Sequence, residues 1–337
     1  MIKVDLLTGF LGSGKTTFIR KYVEHLSKSN IKIGIIENDF GAINIDMMIL
    51  QDLESDQCEL EPIVGGNVES DWKRRFKAKL ISMAMQGFDR VIVEPSGIYD
   101  VDVFFDELYE EPLDRWYEVG NVFALVDAKL DERLSEQAEY LLVSQVANAG
   151  KVILSKAQDA TVEEQEHTIA RINEILGKYD CKRRFCPASG NGDGTKADHI
   201  DLESTIINTS DIILARDWDS LTPADYEELL HCGHVNADHK KLWFDKNEMF
   251  TSLFFMDMDI TADQLHQAVE QMMQDEDCGI VFRMKGFVQQ EDNTWMTINA
   301  THDHICMEPI ERGQSVLIVI GQDLVEENIR RYLDIDK

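Results

Sequence analysis

The stretch Gly9-Phe10-Leu11-Gly12-Ser13-Gly14-Lys15-Thr16-Thr17 meets the pattern G-x-x-x-x-G-K-[ST] at every fixed position. Ahead of it, Ile2 to Leu7 reads as a short apolar strand. Behind it, Phe18, Ile19, Tyr22, Val23 and Leu26 recur at helical spacing, which predicts an amphipathic helix. Strand, glycine loop and helix together aim bare backbone N–H groups and a helix N-terminus at an anion. The glycines let the main chain curl around it without Cβ clashes. Gly12, Ser13, Gly14, Lys15, Thr16 and Thr17 are therefore the phosphate-binding candidates. Lys15 is expected on the β- and γ-phosphates and the Thr16 hydroxyl on Mg²⁺. The pattern implies a nucleoside triphosphate as ligand.

Length and charge narrow the setting. A chain of 337 residues is long enough for two domains, each with its own core. Its net charge of −30 would repel phosphate backbones and anionic lipid, which excludes nucleic acid and membrane partners. The charge serves solubility, or else draws cations or a basic partner. Six cysteines without any C-x-x-C pair argue for a reduced protein rather than a disulfide framework. No basic and apolar leader precedes the first strand, and no apolar run reaches membrane-spanning length, so the expected location is the cytoplasm.

Farther along, short apolar strands alternate with helical patterns. Strands are predicted at Ile31–Ile36, Arg90–Glu94, Val122–Val126 and Val152–Leu154, with a further one at Arg184–Cys186; Trp72–Met85 and Glu136–Ala147 read as helices. Such alternation predicts an α/β domain, a mostly parallel sheet flanked by helices, over residues 1–216. Periodicity fades over a connector, 217–247. Residues 248–337 read as strand, helix, three strands and helix, a smaller α+β C-terminal domain.

Ligands on parallel sheets bind at the carboxyl ends of strands. There the chain carries Glu37-Asn38-Asp39-Phe40-Gly41 with Asp46, then Glu94-Pro95-Ser96-Gly97, then Ser155-Lys156-Ala157-Gln158. A carboxylate closing a strand opposite a phosphate loop holds Mg²⁺ or orients the attacking water, which makes Glu94 a catalytic candidate.

Taken together these stretches resemble the CobW-type metallochaperone GTPases, relatives of the urease and hydrogenase nickel-insertion GTPases. Besides the phosphate loop, Asn38-Asp39-Phe40-Gly41 with Asp46, Glu94-Pro95-Ser96-Gly97, Val126-Asp127-Ala128 and Leu154-Ser155-Lys156 fall in the expected order. Arg283-Met284-Lys285-Gly286-Phe287 and Val316–Gly321 resemble the family's C-terminal domain. The resemblance implies a P-loop NTPase fold. It also implies catalytic roles for Lys15, Asp39 and Glu94, and Mg²⁺ held by Thr16, Asp46 and Glu94, directly or through water. GTP is the implied substrate, read by Ser155, Lys156 and Gln158. Zn²⁺ or Co²⁺ is the implied cargo. A client metalloenzyme or corrinoid-pathway protein, and a second copy in a homodimer, are the implied partners.

Three departures bear on this expectation. The family's Gly-Cys-x-Cys-Cys motif is here Gly65-Gly66-Asn67-Val68-Glu69, without a thiol, and Cys58 stands alone nearby. A family glutamate after the Asn-Glu-Phe-Gly stretch is here Ala42. The guanine-reading Asn-Lys-x-Asp becomes Ser155-Lys156-Ala157-Gln158, with Asp159 one position on, which leaves ATP open beside GTP. Replacement ligands for a transferred metal would come from Glu37 and Glu69, from His231 and His234 in a segment that also holds Cys232 and His239, or from His302, His304 and Cys306. If residues 302–306 form a strand, its period of two puts the last three on one face. The alternatives are a solvated linker and a half-exposed strand whose histidines bind nothing. Two functions follow from the sequence: a GTP-hydrolysing metallochaperone, or a metal-independent, nucleotide-driven regulator or activase of an enzyme partner.

Overall fold

The computed structural model describes residues 1–38, 49–63, 69–186, 214–244, 249–258, 260–290, 292–302 and 304–334. Asp39, Asp46, Ala42, the Gly65–Val68 stretch and Asp303 lie outside them.

The N-terminal unit is built on seven parallel strands: β1 (Ile2–Gly9), β2 (Ile33–Asn38), β3 (Cys58–Ile63), β4 (Arg90–Glu94), β5 (Tyr117–Asp127), β6 (Lys151–Ser155) and the two-residue β7 (Leu214–Ala215). Their order is β3-β2-β4-β1-β5-β6-β7. Among the described residues, the helices that go with them are α1 (Lys15–Leu26), α2 (Glu69–Gln86), α3 (Asp102–Leu108), α4 (Glu136–Ala147), α5 (Val162–Lys178) and α6 (Pro223–Leu230). A strand's period of two sends alternate side chains to opposite faces. In β4, Ile92 packs on the side of α1 with Phe18, Tyr22 and Val23. Val91 and Val93 face Trp72, Phe76 and Leu80 of α2. Both faces are covered, which is why these strands read as continuous apolar runs.

One strand residue breaks that run. Asp5 in the middle of β1 is fully buried. It accepts hydrogen bonds from the Tyr22 hydroxyl at 2.7 Å and from the Asn121 amide at 2.8 Å, and it is paired with the Arg90 guanidinium. Burial beside the Asp5 carboxylate pushes the Tyr22 phenol well above its ordinary range. The cluster ties β1, α1, β4 and β5 together. Removing one partner from a buried ion pair leaves the other charge uncompensated. Asp5→Ala is therefore expected to cost about 3–5 kcal/mol of unfolding free energy, measured by urea denaturation.

The C-terminal unit is a five-stranded antiparallel sheet in the order β11-β10-β9-β12-β8. Its strands are β8 (Thr251–Met256), β9 (Ile280–Gln289), β10 (Trp295–Thr301), β11 (His304–Ile310) and β12 (Val316–Gln322). Helices α7 (Ala262–Gln274) and α8 (Glu326–Tyr332) cover one face, burying Leu265, Val269 and Met272 against Met284, Leu317 and Val319. The opposite face presents Phe282, Phe287, Val316 and Ile318 to the apolar cluster that holds α2 to α5. The two units thus share one continuous core.

The chain between the units departs from the expected aperiodic connector. Thr222 caps α6 through a reciprocal hydrogen-bond pair with Asp225, and Tyr226 and Leu229 pack beneath α1. The segment after it runs along the parallel domain: the Val122 amide donates to Gly233 O, the Val235 amide to Asn148 O and the Lys240 amide to Tyr179 O. Two further differences concern strands. Cys58–Ile63, unread in the sequence, pairs with β2, and the place at the far edge belongs to Leu214–Ala215 rather than to Arg184–Cys186.

Candidate nucleotide site

The phosphate loop joins β1 to α1 as the sequence pattern requires. Gly12 and Gly14 sit at φ 76° and 80°, in the left-handed region that disfavours a side chain. Gly14 is the N-cap of α1; no side chain caps the helix and no acid occupies its first turn. The helix N-terminus is thus left to an anion. The Ser13 hydroxyl is buried and has no hydrogen-bond partner among the described residues. Lys15, only 5% exposed, extends its ammonium inside the loop and donates to Gly9 O at 3.0 Å. Thr17 is solvent-exposed.

Thr16 is buried at the start of α1, and its hydroxyl donates to Glu94 Oε1 at 3.1 Å. Glu94 closes β4 beside the loop, and Glu37 stands opposite it in register near the end of the neighbouring β2, so two buried carboxylates lie at the carboxyl ends of adjacent strands. Hard oxygen donors of this kind suit Mg²⁺. The turn after Glu94 comes close to the loop: a Cβ on Gly97 would lie 2.7 Å from the Leu11 nitrogen. Helix α4 fixes this turn, the Gln145 amide donating to Gly97 O at 3.0 Å and the Ser144 hydroxyl to Asp100 at 2.7 Å. Gln145 and Ser144 escaped sequence reading because mid-helix polar residues usually face solvent; here both are fully buried.

The base-reading segment follows β6. Ser155 is buried with its hydroxyl on Val126 O. Lys156 adopts φ 54° and its ammonium is held by Asp127 at 2.6 Å. Gln158 is exposed in a short 3-10 turn and donates to the adjacent Asp159 at 3.1 Å. Trp218, between β7 and α6, was not singled out in the sequence. Its ring edge would meet a Cβ on Gly14 at 2.7 Å and packs edge-on against Phe18, with ring centroids 5.7 Å apart. No motif surrounds it; only the fold brings it to the loop.

The metal-ligand candidates of the second half are dispersed. His231 is exposed at the end of α6, its ring on Glu227 O. Cys232 points inward toward Asn121, and burial pushes its thiol up to about 12. His234 lies beside Phe105 and His239 beside Tyr140, and burial lowers the pKa of both imidazoles. Strand β11 begins at His304, so His302 belongs to the preceding turn and the expected single face of His302, His304 and Cys306 does not form. His302 instead lines a cleft with Asp131, whose carboxylate is held below its usual range, against the effect of burial, by hydrogen bonds from Arg133. Among the described residues, no group of three or more His, Cys, Asp or Glu side chains converges as a metal site. Cys58 is buried in β3 with its thiol pushed up to about 11. Nothing is described of the Glu69 side chain at the start of α2.

Fold and loop together define a P-loop nucleoside triphosphatase. Residues 3–185 match the family described as CobW/HypB/UreG, nucleotide-binding domain, and residues 251–335 match the cobalamin synthesis protein cobW C-terminal domain. The chain belongs to the CobW/HypB/UreG family. It is 26% identical over 349 residues to the zinc chaperone YjiA of Escherichia coli (strain K12), covering 98% of this chain and 96% of that one. It is 29% identical over 174 residues to the zinc chaperone YeiR of the same organism, about half of each chain. Among solved structures, Zn(II)-bound YjiA GTPase aligns over 99% of this chain and 98% of its own at 22% identity, with a TM-score of 0.36. That superposition is too loose to carry an argument about individual residues. Among the described residues, no helix is long and apolar enough to cross a membrane.

Proposed function

We propose that this protein is a Mg²⁺-dependent GTP hydrolase that acts as a zinc chaperone, its nucleotide state coupled to transfer of zinc to a client metalloenzyme. The observation that carries the hydrolase reading is the buried contact between Thr16 and Glu94 beside an uncapped helix N-terminus. In hydrolysis a water attacks the γ-phosphorus, the bond to the β–γ bridging oxygen breaks, and GDP leaves. Lys15 places a positive charge inside the loop where the β- and γ-oxygens gain charge, and the α1 N-terminus and Ser13 supply further donors. Glu94 orients the attacking water, with Asp39 as the candidate from the segment after β2. Thr16, Asp46 and Glu94 would hold Mg²⁺, which when bound neutralises charge on the triphosphate.

Zinc as cargo rests on the relatives, both of which are zinc chaperones. The cargo ligands would include Glu37, with Glu69 and the histidines and Cys306 of the second half as further candidates. The thiol-free Gly66-Asn67-Val68 favours, as a second reading, a metal-independent regulator running on the same cycle.

For base choice we propose that Lys156 covers the purine and that Gln158 weakens the preference for guanine, because a neutral amide replaces the carboxylate that would accept from guanine N1–H and the exocyclic amine. A charge-assisted hydrogen bond contributes about 1.5–3 kcal/mol. Steady-state hydrolysis of GTP and ATP in competition, with Mg²⁺ present, should therefore show a modest GTP preference. Gln158→Asp should sharpen it roughly tenfold or more. A native preference of many thousandfold would show that Asp159 or the backbone already reads the base. No hydrolysis of either nucleotide would refute the hydrolase itself.

A further inference from the structure

The C-terminal sheet touches the nucleotide site at two places. Phe10, in the phosphate loop, packs edge-on against Phe282 of β9 with ring centroids 5.3 Å apart, and near Phe250 at 6.5 Å. Phe250 is fully buried. Thr301, the last residue of β10, reaches farther in. Its methyl group lies against Gly12, so closely that a Cβ on that glycine would sit 2.2 Å from it. Its hydroxyl accepts from the Lys156 ammonium at 3.3 Å. The same ammonium is held from the other side by Asp127. One threonine from the second unit thus contacts both the phosphate loop and the lysine expected to cover the base.

We propose that Thr301 is a positioning residue of the nucleotide site, which makes the C-terminal sheet part of the nucleotide-binding apparatus. Two groups fix a flexible lysine head more tightly than one. Pinned between Asp127 and Thr301, the Lys156 stem is held in one direction, and less side-chain entropy is lost when a purine settles beneath it. The Thr301 methyl at the same time backs the left-handed Gly12, holding the loop in shape. By linkage, a contact that favours nucleotide when the C-terminal sheet is docked is a contact through which bound nucleotide favours docking. That reciprocity gives the sheet a direct route to sense an occupied phosphate loop. The inference rests on the nucleotide-binding reading of the loop and adds to it a residue outside the matched nucleotide-binding segment.

The test separates the hydroxyl from the methyl. Thr301→Val keeps the shape and removes the acceptor; Thr301→Ser keeps the acceptor. Affinity of the full-length chain for a slowly hydrolysed GTP analogue and for GDP, both with Mg²⁺, is measured by calorimetry, and KM and kcat by phosphate release. Thr301→Val should weaken both nucleotides roughly three- to tenfold and raise KM with kcat little changed. Thr301→Ser, which keeps the acceptor for Lys156 but loses the methyl against Gly12, should bind more tightly than Thr301→Val and fall short of wild type. A loss of fold stability alone would lower the melting temperature of Thr301→Val without producing that split between KM and kcat. Equal affinities in wild type and Thr301→Val would overturn the inference while leaving the nucleotide site intact. Failure of the folded wild-type chain to bind either nucleotide would remove the site and the inference together.

Discussion

Lys15→Ala is expected to lower kcat/KM for GTP hydrolysis by roughly two to three orders of magnitude, the usual cost of removing one preorganised charge-stabilising donor. The ammonium is buried inside the loop on Gly9 O, so its desolvation is already met in the folded protein. No other lysine or arginine stands in the Gly9–Thr17 stretch to replace it. The fold should survive, because the loop keeps its glycine geometry and the ammonium's hydrogen bonds to Gly9 O and Phe10 O are worth about 1 kcal/mol each. Phosphate release and nucleotide titration, read beside an unchanged circular dichroism spectrum, check this. Turnover close to wild type would mean that the loop is not where hydrolysis occurs.

Glu94→Gln comes next in size. The substitution keeps the shape of the side chain and can still accept from Thr16, but it removes the negative charge that closes β4 next to the loop. Groups that hold a metal ligand in place typically cost ten- to a hundredfold in metal affinity or activity when changed. The Mg²⁺ concentration for half-maximal hydrolysis should therefore rise by about that factor, and kcat should fall as well. Lys15→Ala should instead leave the Mg²⁺ requirement of its residual activity largely unchanged. If Glu94→Gln showed a wild-type Mg²⁺ profile, the carboxylate would have no part in holding the ion or in orienting water.

Much of this arrangement was legible before any coordinates. The phosphate loop is local: its pattern lies within nine positions, Gly9 to Thr17, and strand and helix flank it in sequence as in space. The parallel sheet was legible because buried strands are continuously apolar, and α4 because its pattern runs without interruption from Glu136 to Ala147. What stayed hidden depends on long-range contact. Asp5 was not singled out, because nothing near it in sequence shows that Arg90 and Tyr22 lie beside it. β3 was missed because it is short, half of Cys58-Glu59-Leu60-Glu61 is charged, and Pro62 follows, which an edge strand tolerates. His302 to Cys306 suggested one ligand face by their spacing alone. The β10–β11 turn falls between them, since the partner register pairs Thr301 with His304. Thr301 and Trp218 carry no motif, and each meets the loop across 289 and 204 positions of chain from Gly12 and Gly14 (301 − 12 and 218 − 14).

The proposed coupling of nucleotide state to zinc is tested most directly by titrating Zn²⁺ into the full-length chain in two forms. One carries Mg²⁺ and a slowly hydrolysed GTP analogue, the other Mg²⁺ and GDP. Allosteric couplings typically amount to about 1–3 kcal/mol, so the two Zn²⁺ dissociation constants should differ by at least roughly fivefold. Tight Zn²⁺ binding with the same dissociation constant in both forms, or no tight binding in either while GTP hydrolysis proceeds, would contradict the account.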